Sequence, residues 1–310
     1  MATLRHLLFS LCILTSLSTQ AGNIPSTQLN SWQRDPGKLD LASVNALVMD
    51  TRNNAVLYSR NPNSVVPIAS LSKLMTVMVI LDAKQPLDER IAVAIQSTNE
   101  LKNVFSRIRV DSQLTRKEML LLTLMSSENR AAASLAHHYP GGYARFIQAM
   151  NSKAKALGMH NTHFVEPTGL SYQNVSTAHD LAAMVNAASG YALIKEMTTT
   201  AKKDAHFSKP SYSLAFYNTN PLVRNGNWDI TLSKTGFNNM AGHCLVMQTA
   251  INNRPVTMVL LDSFGKKSHV GDAGRVRRWL ETGNGGTVPA PAKDYVKRKA
   301  KETNLAAKLD

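Results

Sequence analysis

Pro67 is followed by Ile68-Ala69-Ser70-Leu71-Ser72-Lys73-Leu74-Met75 and then by an apolar stretch to Leu81. A segment of helical length with apolar residues on most faces is a helix buried on most sides, so the rest of the chain has to be built around it. Its first turn nevertheless carries Ser70 and Lys73. Residues three apart on a helix are neighbours, so a neutral lysine amine there can take the proton of the serine hydroxyl.

The flanking segments predict what surrounds this helix. Leu41 to Asp50 has strand character, Arg52-Asn53-Asn54 is a turn, and Ala55 to Ser59 is the antiparallel partner. From about residue 83 to 200 the periodicity is helical, over Thr115 to Met125, Arg130 to His137, Tyr143 to Leu157 and Ala178 to Ala188. Strands return at Ile230 to Thr235, Cys244 to Ile251 and Pro255 to Asp262, with Asn252-Asn253 as a hairpin turn, before a helix over about 271–280. Strands at both chain ends with helices between them predict an α/β fold of the α+β type. One antiparallel sheet, built from the two chain ends, is flanked by helices and joined to an all-helical lobe over roughly 83–200.

The first 21 residues place Arg5 before an apolar run from Leu7 to Leu17 and end on Thr19-Gln20-Ala21. That is the pattern of a secretory signal peptide cut after Ala21; the run is shorter than the roughly twenty residues a bilayer span requires. The expected division is therefore a signal at 1–21, a main domain over 22–282 and a basic extension over 283–310. Export leaves Cys244 as the single cysteine, in a strand-like apolar setting that neither pairs it nor activates it. The chain has 35 Lys and Arg against 21 Asp and Glu, and without Arg5 its formal charge falls from +14 to +13. A polyanionic partner fits that balance. Nucleic acid is disfavoured by the export signal and by the lack of a binding motif, which leaves the wall and anionic lipid. The basic run Lys297-Arg298-Lys299-Ala300-Lys301 is a solvated extension that could make weak electrostatic contact with membrane or wall.

Spacing alone does not select a nucleophile. Ser-x-x-Lys occurs at Ser70/Lys73, Ser152/Lys155 and Ser263/Lys266, and Ser-x-Asn at Ser43/Asn45, Ser97/Asn99 and Ser127/Asn129. Lys-Thr-Gly occurs once, at Lys234-Thr235-Gly236. Order and context separate the copies. Ser70 and Lys73 open a buried helix, Ser127 and Asn129 stand in a break between helices, and Lys234 lies on a strand. A closely similar trio marks β-lactamases and penicillin-binding proteins.

With these motifs, and with Asn161-Thr-His-Phe-Val-Glu-Pro-Thr-Gly-Leu170, Ser176-Thr-Ala-His-Asp-Leu181 and Ala241-Gly-His-Cys-Leu245, the chain resembles the low-molecular-mass penicillin-binding proteins of peptidase family S11. Within the family, Ser126-Ser-Glu-Asn-Arg-Ala-Ala-Ala-Ser-Leu-Ala-His-His-Tyr-Pro-Gly-Gly-Tyr143 is similar to the D-alanyl-D-alanine endopeptidases, whereas the carboxypeptidases usually carry Ser-Gly-Asn. The resemblance implies a β-lactamase/transpeptidase-like fold and a periplasmic serine hydrolase. Its substrates would be the cross-linked peptides of peptidoglycan, and β-lactams would be covalent inhibitors. A D,D-carboxypeptidase is the alternative, and a β-lactamase the more distant one. It further implies Ser70 as nucleophile, Lys73 as base, Ser127 as proton relay, and Asn129, Lys234, Thr235 and Gly236 as substrate-binding residues. The backbone N–H groups of Ser70 and Phe237 would form the oxyanion hole, and no metal or organic cofactor is needed. On this reading burial and the charge of Lys234 both lower the pKa of Lys73, and Gly236 leaves room for the substrate backbone. Glu166, followed by Pro-Thr-Gly-Leu, is loop-forming rather than catalytic. The pairs His137/His138 and His160/His163 lack a zinc-binding His-Glu-x-x-His pattern.

Overall fold

The computed structural model describes residues 34–102 and 104–306; the expected signal segment, 1–21, lies outside them. Strands β1 (Ser43–Asp50) and β2 (Ala55–Arg60) form the expected hairpin, with Asn54 in the left-handed conformation of the turn. Every residue of β1 is buried, the mark of an inner strand covered on both faces. A short strand, β3 (Val66–Pro67), then leads through the 3-10 turn Ala69–Leu71 into helix α1 (Ser72–Asp82).

Ser72 to Ile80 are all buried. Helix α1 packs against α2 (Arg116–Met125), α3 (Asn129–His137), α4 (Gly142–Ala156) and α5 (Ala178–Ala188), and so runs through the middle of the lobe. A capping box starts α2: the Thr115 hydroxyl accepts from Glu118 N while the Glu118 carboxylate accepts from Thr115 N.

The lobe is not all-helical, as the sequence had suggested. Strand β4 (Arg90–Ala92) pairs with β5 (Gln113–Thr115), and β6 (Val175–Ser176) pairs with β3. Strands of two or three residues are too short for an alternating pattern to show. After α6 (Ala192–Thr199), a further hairpin of β7 (Lys202–Phe207) and β8 (Tyr212–Tyr217) extends the lobe, followed by the short helix α7 (Pro221–Asn225).

The chain then returns to the main sheet with β9 (Asp229–Asn238), β10 (Gly242–Ile251) and β11 (Arg254–Ser263). The strand order is β2-β1-β11-β10-β9, antiparallel throughout, so the two chain ends meet where β1 pairs with β11. Asn252 and Asn253, both at positive φ, close the β10–β11 hairpin as expected. Leu47, Met49, Val259 and Leu261 share one apolar core with α1 and α5. Helix α8 (Ser268–Thr282) covers β1, β10 and β11, with Trp279 fully buried and edge-on to Tyr58.

The C-terminal segment differs from the expected solvated extension. Ala290–Ala306 forms helix α9, held to the domain by Ala292 and Val288 against Ala42 and by a hydrogen bond from Tyr295 Oη to Asp262 Oδ1 at 2.5 Å. Lys293 pairs with Asp40 and Lys299 with Asp262. Part of the basic run is therefore spent on contacts within the chain. Among the described residues no helix is long and apolar enough to cross a membrane.

Candidate active site

The turn that presents Ser70 is entered through Ala69 at φ 47°, a left-handed conformation that costs a residue with a Cβ about 1–3 kcal/mol and persists only where surrounding structure imposes it. The imposing groups are two glycines. At Gly169 (φ +79°) an added Cβ would lie 1.9 Å from the Ala69 carbonyl oxygen and 2.7 Å from Ser70 N. At Gly236 it would lie 3.1 Å from Ile68 O and 3.2 Å from Ser70 N. Gly236 therefore packs closely on the Ser70 turn and also lines the cleft beside it.

Lys73 follows on α1 and is completely buried. Its Nζ lies 2.9 Å from Ser70 Oγ and donates to Asn129 Oδ1 at 2.8 Å and to the Thr168 carbonyl at 2.5 Å. A neutral amine has two hydrogens and one lone pair. With both hydrogens taken by these two acceptors, the lone pair is left facing the serine hydroxyl. Burial pulls the Lys73 pKa down to about 8, against the opposing pull of Glu166 and then Glu128.

Ser127 stands between α2 and α3, also at positive φ, 59°. Its Oγ accepts from Lys234 Nζ at 2.9 Å, and Lys234 also donates to the Thr235 carbonyl at 2.8 Å. The site thus holds two serine–lysine pairs, Ser70 with Lys73 and Ser127 with Lys234. Burial, and then the charge of Lys73, push Lys234 well below its ordinary range; the repulsion between the two ammonium groups is mutual, in line with the expected influence of Lys234 on Lys73. Thr235 Oγ1 donates to Thr219 Oγ1 at 2.6 Å. Thr219 went unnoticed in the sequence because a lone threonine in a loop carries no spacing signal.

These groups open onto a cleft of about 530 Å³, lined by Ser70, Ser127 and Thr235 and also by Arg224, Lys266 and Lys267. None of the three cations pairs with an acid among the described residues. Phe237 stacks on His243 and His243 on His269, with centroids 4.2 and 5.2 Å apart, along the same wall. Burial lowers both histidines, His269 to about 4, so at neutral pH the positive charge of the wall comes from Arg224, Lys266 and Lys267.

The other motif copies are placed elsewhere. Ser152 is exposed on α4, and Ser263 is buried in the sheet against Ser43. Ser43 and Asn45 lie on β1, and Ser97 hydrogen-bonds His137. Burial pushes the Cys244 thiol up to about 12, so it stays protonated and unreactive. Among the described residues no cluster of three or more His, Cys, Asp or Glu side chains is placed to hold a metal.

Residues 31–265 match the family model of peptidase S11, described as D-alanyl-D-alanine carboxypeptidase. The chain is 53% identical over 306 residues to a D-alanyl-D-alanine endopeptidase of Escherichia coli, covering 99% of this chain and 98% of that protein. It is 57% identical over 270 residues to one of Pseudomonas aeruginosa, covering 87% of each. Among solved structures it is similar to the Streptomyces K15 DD-transpeptidase, with TM-score 0.73 and 24% identity over 79% of this chain and 98% of that one, a likeness of fold. It is also similar to penicillin-binding protein D2 of Listeria monocytogenes in its ampicillin-bound form, with TM-score 0.65 and 26% identity over 79% and 98%. The sheet order, the paired serines and lysines and these matches lead to one assignment: the chain belongs to peptidase family S11.

Proposed function

We propose that this chain is a periplasmic D-alanyl-D-alanine endopeptidase that cuts peptide cross-links of peptidoglycan through an acyl-enzyme at Ser70. The observation that carries the reading is the environment of Lys73 Nζ, buried, with two acceptors for its hydrogens and its third direction at Ser70 Oγ. In this mechanism the Ser70 proton passes to Lys73 as the oxygen attacks the D-Ala carbonyl, and the backbone N–H groups of Ser70 and Phe237 hold the developing oxyanion. The C–N bond breaks as the proton taken up by Lys73 is relayed through the Ser127 hydroxyl, held by Lys234, to the departing amine, which leaves Lys73 neutral and Ser127 protonated again. Water then hydrolyses the Ser70 ester. Asn129 orients Lys73, while Lys234, Thr235 and the strand at Gly236 seat the carboxylate beside the scissile bond, whose charge restores that of Lys234.

An internal cross-link, unlike a terminal D-Ala, continues past that carboxylate into a second acidic peptide. A cleft with Arg224, Lys266 and Lys267 along its wall suits such a leaving group. Export rests on the first 21 residues, with Gly22 as the expected N-terminus of the protein recovered from the envelope.

Purified protein is expected to bind labelled penicillin at Ser70, to convert cross-linked muropeptide dimers to monomers, and to turn penicillin over slowly. Dimers and pentapeptide monomers digested side by side separate the alternatives. Release of free D-Ala with dimers left intact would make the chain a carboxypeptidase, and rapid penicillin turnover a β-lactamase.

The base assignment has its own pH signature. Only the neutral amine can accept the proton, and a pKa of about 8 in place of 10.5 raises its neutral fraction at pH 7 about three hundredfold. The acylation rate constant, followed by labelled penicillin from pH 5.5 to 9.5, should rise close to tenfold per unit at low pH and level off above about 8. A profile flat between pH 6 and 8 rules out Lys73 as the base.

A further inference from the structure

Glu166 is the least expected group near the site: a carboxylate 1% exposed, on the loop whose Thr168 carbonyl holds Lys73. Its Oε2 accepts from Thr168 N and Thr168 Oγ1, each at 2.6 Å. Its Oε1 accepts from Gly169 N at 2.5 Å, Asn174 Nδ2 at 3.1 Å and Ser171 N at 3.3 Å. Thr168 Oγ1 accepts from Leu170 N, which leaves its own hydrogen for the carboxylate. Every group that meets Glu166 is a donor: burial raises the pKa of the carboxyl, and the hydrogen bonds of Thr168, the charge of Lys73 and the Gly169 N–H pull against that rise, so the loop is built to receive the carboxylate. Asn174 ties the same loop to α1, donating also to Ser72 Oγ and to the Glu166 carbonyl. Gly169, whose N–H is one of the five donors, is the residue in closest approach to Ala69 and Ser70.

We propose that Glu166 is a positioning residue for the serine–lysine pair: its buried carboxylate folds the 166–174 loop so that the Thr168 carbonyl holds Lys73 Nζ against Ser70 Oγ while Gly169 closes on the nucleophile turn. The role rests on the Ser70–Lys73 chemistry proposed above and adds a residue that touches neither substrate nor nucleophile. It leaves Glu166 no free lone pair with which to activate a deacylating water. The charge has a second consequence. Glu166 is the foremost opposing influence on the burial that depresses Lys73, ahead of Glu128, while the charge of Lys73 in turn bears on Lys234; of the other titratable neighbours, Tyr143 also feels Glu166. Removing the anion therefore moves the Lys73 titration further down.

The test is the pH dependence of acylation by labelled penicillin in the full chain, for wild type, Glu166→Gln and Glu166→Asp, with thermal unfolding measured in parallel. For Glu166→Gln, whose amide sets donors against donors, the plateau rate is expected to fall by about a hundredfold through misplacement of the reacting pair. Its midpoint should drop by on the order of one pH unit. Glu166→Asp keeps the charge but cannot span both sets of donors, so it should be slow with a midpoint near that of wild type. Should Glu166→Gln fail to fold, Glu166→Asp alone decides, and a wild-type acylation rate in it overturns the proposal. A folded Glu166→Gln with wild-type rate and midpoint overturns it too, as does a loss that merely tracks the unfolded fraction with the midpoint unmoved. Wild type that takes no label at all would defeat the serine mechanism itself, a different result from labelled wild type with indifferent variants.

Discussion

Ser70→Ala is expected to take no covalent label from penicillin and to lose cross-link cleavage by roughly 10⁴-fold or more, because the atom that forms the acyl bond is gone. The fold should tolerate the change. Ser70 is only half-buried, and its removal leaves Lys73 Nζ with the two acceptors that already take its hydrogens. An unfolding temperature within a few degrees of wild type would separate lost chemistry from lost structure. Ser152→Ala is the matched control, since the same Ser-x-x-Lys spacing there lies on the exposed face of α4. Mass spectrometry of the penicillin adduct decides the matter: label retained by Ser70→Ala, or lost from Ser152→Ala, refutes the assignment.

The second large effect is structural in origin. Gly169→Ala should lower stability by about 3 kcal/mol or more, the sum of a strained positive φ and of overpacking against backbone that has no flexible side chain to yield. For a chain of this size that is a fall of several degrees in the unfolding temperature. Acylation should fall as well, by on the order of a hundredfold, because the atoms a Cβ would meet are Ala69 O, Ala69 C and Ser70 N, the frame of the nucleophile itself. Gly274→Ala supplies the contrast. A Cβ there meets nothing within 4 Å inside helix α8, and alanine in a helix interior is favoured over glycine by up to about 1 kcal/mol. Calorimetry on both variants tests the claim; a Gly169→Ala as stable and as readily acylated as wild type would contradict the packing described here.

The elements that were legible in the sequence are the long, strongly patterned ones. The Arg52-Asn53-Asn54 turn and the Asn252-Asn253 turn are local chemistry, since asparagine tolerates positive φ and the flanking residues have strand character. Helices α2 to α5 follow from periodicity over about two and a half turns or more. The β3–β6 and β4–β5 ladders are too short to carry a pattern. The docking of α9 was hidden because Tyr295, Lys293 and Lys299 look like members of a solvated charge run until Asp262 and Asp40 are placed beside them. His243 and His269 were passed over for the same reason: their stacking against Phe237 is a long-range meeting, with no spacing to announce it.

Within the site, order along the chain was enough to choose Ser70, Lys73, Ser127, Asn129 and Lys234 from among repeated motifs, because only that set combines a buried helix, a break between helices and a strand. By itself, then, the sequence singled out the side chains that the structure brings together around Ser70 and the secondary elements that bear them, since both depend on residue type and local period. Tertiary structure alone decided how they meet: the two acceptors that turn the Lys73 lone pair toward Ser70, the burial that depresses both Lys73 and Lys234, the Thr219 hydroxyl beside Thr235, and the Glu166 loop that brings Gly169 against the Ser70 turn. Those are contacts between residues far apart in the chain. Their energies come from burial and from the pairing of every polar group that burial strips of water, and neither can be assigned until the fold has brought the partners together.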